Sequence, residues 1–207
     1  MKFATLFVVY GPFVAEWIFA FCAAGWYLSR RARPAERNEF FIRRIVLVSI
    51  FVYFLLALVT SYVQYAIWKG DSFSQNLLPP HQSVWYFVKY AGTHFWLTLF
   101  FSLIASGTFY ALLRSLKRRN ERFFEEGEME LGALAAFLVG WPRIIVFLPI
   151  TFLAVVVIAG IKIALKKGAY TTLGPPFLVG LAITLAAGLT FLQMVGLESL
   201  VVIPGAR

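Results

Sequence analysis

Residues 123–142 read FFEEGEMELGALAAFLVGWP. Glutamates stand at 125, 126, 128 and 130, and an apolar run follows as far as Trp141. Whether that run crosses a membrane decides the topology, because the other apolar runs are long enough to settle their own fate. Counted from Glu128, about fourteen residues rising ~1.5 Å each give ~21 Å, against a hydrocarbon layer of ~30 Å. The segment is therefore expected to sit toward one side, to tilt, or to join its successor at membrane depth.

Outward from this stretch the chain is apolar throughout. Of its 207 residues 60% are hydrophobic and only 14% charged, and the mean hydropathy of +0.78 excludes an ordinary soluble domain. The alternating pattern of a membrane barrel is absent, so the spans are expected to be helical. The reading is an all-α polytopic bundle, one membrane domain over 1–207, with about six segments. They fall at about 3–28, 45–68, 84–113, 128–141 (the short fourth), 144–165 and 177–197. Pro79-Pro80 and the run TTLGPPF interrupt the helices between them.

Charge orients the bundle. Lys and Arg number six in 30–44, five in 114–122 and three in 162–167, against Lys2, Lys69, Arg143 and Arg207 in the opposite set. Six alternating crossings put the three basic groups on one side, so both termini are expected outside the cytoplasm of a prokaryotic inner membrane. The net charge of +9 is accounted for by these short loops, and no soluble basic face remains for nucleic acid. Cys22 is the single cysteine, which excludes an internal disulfide or a thiolate metal cluster, and no metal or other cofactor is expected. The partner implied throughout is the lipid bilayer.

Polar residues inside apolar runs are the candidates for chemistry. Glu125 and Glu126 suit a helix start, where carboxylates meet the partial positive charge of the first turn, with Arg118, Arg119 and Arg122 as neutralising neighbours. Glu130 is harder to explain so, and helical spacing puts it on one face with Glu126 while Glu128 points elsewhere. Glu16, in the middle of the first span, must be protonated, paired, or facing a polar cavity. It reads as a proton relay or second acid, or as a hydrogen-bonding group toward another helix. Lys89 can snorkel to the surface, and the glycines at 174, 180 and 188 read as sites of close helix packing.

EGEMELGALAAFLVGWP resembles the signature segment of the type IV prepilin peptidase family, intramembrane aspartyl proteases with a Gly-x-Gly-Asp motif. Gly127 stands at the second glycine, Glu128 at the aspartate, and Gly140-Trp141 at the closing pair. Leu173–Gly188, with Gly174 and Pro175, is similar to the opening of the family's last helix, and SLIASGTFYALLRSL to the helix before the motif. The likeness covers about residues 102–190. It implies a peptidase acting at the cytoplasmic face on a prepilin-like peptide, with Glu128 as the catalytic acid. Glu125 replaces the first glycine, and the family's second aspartate has no counterpart. The only Asp, Asp71, is expected on the opposite side. A glutamate elsewhere, Glu130 or Glu16, would have to substitute, or the scaffold persists without the reaction. The competing reading is a non-catalytic subunit packing in a larger membrane complex.

Overall fold

A computed structural model of the chain describes residues 2–30, 35–119, 124–166 and 172–197. Of the charged residues counted above, Lys2, Arg31, Arg33, Arg37, Arg122, Lys167 and Arg207 lie outside the described residues or side chains. The helices are α1 (Lys2–Ser29), α2 (Ala35–Gly70), α3 (Val84–Ala91), α4 (Leu97–Arg119), α5 (Glu128–Val139), α6 (Ile144–Ala164) and α7 (Gly174–Met194). A π turn, Gly92–Trp96, fuses α3 and α4 into one rod. The result is the expected all-α bundle of six rods with a short fourth, and the described residues contain no strand. Five rods are long and apolar enough to cross a membrane.

Those five rods turn most of their side chains outward. Phe21, Phe51, Tyr62 and Val156 are among many large apolar residues left exposed, which fits a surface meant for lipid rather than water. The short rod is the opposite. Every residue of α5 except Met129 is buried, although two of them are glutamates. Twelve residues give α5 a length of about 18 Å, so it is a core helix wrapped by its neighbours.

Small residues let the neighbours close on it. A Cβ at Gly132 would stand 2.8 Å from both Leu113 Cδ1 and Phe177 Cε2, so α4 and α7 touch α5 at its backbone. Ser106 of α4 donates to the Ala133 carbonyl at 2.7 Å. Phe109 meets Phe147 and Phe177 edge-on at 6.1 and 5.9 Å between centroids, joining α4, α6 and α7. Gly180 does mark close packing, because a Cβ there would overlap the Thr151 hydroxyl of α6. One on Gly188 would instead press on Thr184 of its own helix and stand 3.5 Å from Arg143, an ordinary contact.

The α5–α6 connection is deep in the bundle. Gly140 has φ +66°, a conformation that favours glycine. The next amide, Trp141 N–H, donates to Ser102 Oγ at 2.9 Å. Ser102 lies near the midpoint of the α3–α4 rod. The short segment therefore ends beside the middle of that rod.

The π turn was not legible in the sequence. It stacks His94 on Tyr90 at 3.8 Å and turns Trp96 to donate to Ser61 Oγ of α2 at 3.2 Å. Between α2 and α3, the Asp71 carboxylate accepts the Ser74 amide at 2.9 Å, and these bonds hold its pKa below the usual aspartate range.

Candidate functional site

Three chain segments converge where the basic helix ends gather: the end of α1, the turn 124–127, and residues 172–174 leading into α7. The turn is built on Gly127, at φ +79°, in a space where a Cβ would stand 2.8 Å from Trp26 Cη2. Its carbonyl accepts Leu131 N–H at 2.9 Å, and Glu128 begins the helix. On the third segment, Pro175 and Pro176 occupy the first turn of α7, where their missing N–H groups leave nothing unsatisfied. A Cβ on Gly174 would overlap Tyr27 and press on Glu128, so only glycine lets α7 come this close. The Gly174 amide faces the Glu128 carboxylate.

Arg30, the residue just after α1, fills the centre. Its Nη1 donates to Glu128 Oε1 at 3.2 Å, and its Nη2 pairs with Glu125 Oε2. Nη2 also donates to the Tyr27 hydroxyl at 2.9 Å, and the guanidinium carbon lies 4.0 Å from the Tyr27 ring centroid. The backbone carbonyl of Arg30 accepts from Asn38 Nδ2 at 3.0 Å, anchoring the end of α1 to α2. Glu125 N–H donates to Glu128 Oε2 at 3.1 Å, so one residue contributes both an amide and a carboxylate. The Glu128 side chain is 0% exposed and that of Glu125 54%. A buried carboxylate needs such partners, because desolvation alone would cost several kcal/mol.

Glu130 belongs to a different pair. It accepts from Arg43 Nε at 3.4 Å, and Arg43 also binds Glu39 one turn back on α2 at 2.5 Å. Glu126 is exposed in the turn before α5, so the expectation that it shares a helical face with Glu130 does not hold. The helix starts two residues too late. The described counter-ions of the buried acids come from α1 and α2, rather than from Arg118 and Arg119 as the sequence suggested.

Glu16 is paired as well, at the other end of the same seam. Arg143 Nη1 donates to Glu16 Oε2 at 3.0 Å and Nη2 grips Oε1. The Tyr53 hydroxyl, buried without a hydrogen-bond partner, lies within electrostatic reach of both charges. Fourteen residues of α1, ~21 Å, separate Glu16 from Arg30, so Glu16 and Glu128 are not brought together. Asp71 is farther still. Gly127 packs on Ile42, and from there to Asp71 is about 43 Å along α2. Arg143 lies in the α5–α6 turn but its side chain is spent on Glu16 within the bundle, which removes one charge from the sparse side of the earlier tally.

The residues that sequence reasoning missed are Arg30, Tyr27 and Glu125. The available signal was that Arg30 is the first cation after the first span, a turn from Tyr27. Among the described residues no three His, Cys, Asp or Glu side chains converge to ligate a metal. The arrangement can hold a cation between two carboxylates, one buried and one open to the outside. Comparison of the chain with protein-family models, with curated proteins and with solved structures finds no match.

Proposed function

We propose that the chain is a prepilin-peptidase-like integral membrane protein working at the cytoplasmic face of a prokaryotic membrane, with Glu128 as its principal acid. One observation carries the reading. The two segments that bear the resemblance, at Gly127-Glu128 and at Gly174-Pro175, lie far apart in sequence yet meet at Glu128. Glu125 is the partner carboxylate, held by the same guanidinium. In such a pair one carboxylate activates a water while the other protonates the scissile carbonyl. Purified protein incubated with a prepilin-type peptide is expected to release the leader, and Glu128→Gln to abolish release. An uncut peptide over a range of pH and lipid would sink the reading.

A second reading, a non-catalytic membrane subunit, is favoured by Arg30, which takes the place between the acids that a reacting water needs. The mass of the detergent-extracted native particle separates the two. A lone 23.4 kDa chain speaks against an obligate partner.

A further inference from the structure

Resting on the peptidase-like reading, we propose that Arg30 is an internal plug: it occupies the space between Glu125 and Glu128, and the acid pair becomes available only when it withdraws. The contacts are those of a side chain seated in a site rather than draped over a surface. Arg30 is 8% exposed, with one arm of its guanidinium on each carboxylate and its flat face on the Tyr27 ring. Two carboxylates share a proton because their like charges repel. A guanidinium between them offsets that repulsion and takes one oxygen of each acid. The plugged pair can therefore neither hold a proton in common nor position a water.

The same geometry shows how the plug can leave. Arg30 directly follows Ser29, the last residue of α1, and its carbonyl accepts from Asn38 Nδ2 of α2. Withdrawing it frees Glu125 and Glu128 and unpins this end of α1 from α5. Gly127, Gly174 and the α5–α7 contact, which shape the rest of the site, carry no atom of Arg30 in their close approaches. Glu125, already half open, is the side from which the guanidinium would be released.

The experiment is carboxyl labelling of the full-length protein in detergent with a carbodiimide and an amine, read residue by residue by mass spectrometry. In the wild type Glu128 is expected to resist labelling. In Arg30→Ala it is expected to label faster by about tenfold or more, the scale of one lost charge-assisted hydrogen bond. Free guanidinium ion is expected to restore its protection, while Glu16, held by Arg143, stays unlabelled throughout. Arg30→Lys, which keeps the charge without the fork, is expected to fall between. If Glu16 also labels in Arg30→Ala, that variant has lost its fold and Arg30→Lys decides. Glu128 labelled in the wild type, or equally protected in both variants, overturns the plug. Glu128 laid bare with no peptide cut leaves the plug standing and counts against the peptidase reading. Cleavage as fast by the wild type as by Arg30→Ala does the reverse.

Discussion

Glu16 and Arg143, 127 positions apart in the chain, meet through both arms of the guanidinium in the interior of the bundle. About 21 Å along α1, Arg30 reaches Glu128 through one arm of its guanidinium while the other takes Glu125, with acid and base exchanged between the two sides. The seam between α1 and the α5–α6 unit is thus pinned at both ends. A slip of α1 by one turn would break both pairs and strand four charges, so the pairs specify register more than they add stability.

Removing one partner tests this. Glu16→Ala leaves Arg143 buried alone and is expected to cost about 3–5 kcal/mol, while Glu16→Leu with Arg143→Met recovers most of that loss. Reversible unfolding in mixed micelles gives the numbers. Additive losses in the double variant would show that the two residues do not act as a pair.

Gly127→Ala is expected to destabilise by about 1–3 kcal/mol, through a left-handed backbone that alanine resists and a Cβ pressed on Trp26. Gly174→Ala acts differently, because its backbone is helical and the damage is purely steric against Tyr27 and Glu128. Its mark is therefore greater accessibility of Glu128 to carboxyl labelling. Unchanged labelling would mean that α7 does not close over the acid.

Phe177→Ala removes a ring that fills the space beside Gly132 and meets Phe109, and is expected to cost about 3–5 kcal/mol. The same unfolding assay reads it. A much smaller loss would mean that α4 and α7 collapse into the vacated volume.

Asp71 supplies a pH dependence at the opposite end. Its folded pKa is lowered by the Ser74 bonds, so the stabilisation is present above the ordinary aspartate value. It is lost as pH falls through the depressed folded value. Amide exchange of Ser74 is expected to be slow near neutrality and to lose its protection in acid, with Asp71→Asn abolishing that pH dependence. Exchange that ignores pH in the wild type would show that the carboxylate does not hold the turn.

The sequence made the architecture legible because lipid imposes a simple length rule. Five rods follow from apolar runs near 20 residues, and the short fourth stands out by failing that rule. Glu128 could be singled out because it stands at the acid position of the motif that its segment resembles. What could not be read was pairing at long range. Nothing local to Arg30 says that it folds onto Glu128, 98 positions away, or that Arg143 answers Glu16. The π turn escaped for another reason. GTHFW carries no proline, its one glycine is of a kind that helices tolerate, and the extra residue is absorbed by rings that meet only after α2 packs beside α3.

The burial of α5 also bears on how the chain enters the bilayer during synthesis. Twelve residues headed by two acids are a poor substrate for insertion on their own. The cations that receive those acids lie on α1 and α2 and emerge from the ribosome first, whereas the α7 face that seals the helix emerges last. Docking of α7 on α5 therefore follows the synthesis of both cations, and truncation ahead of residue 174 would leave the fourth segment with no seal beside its acids.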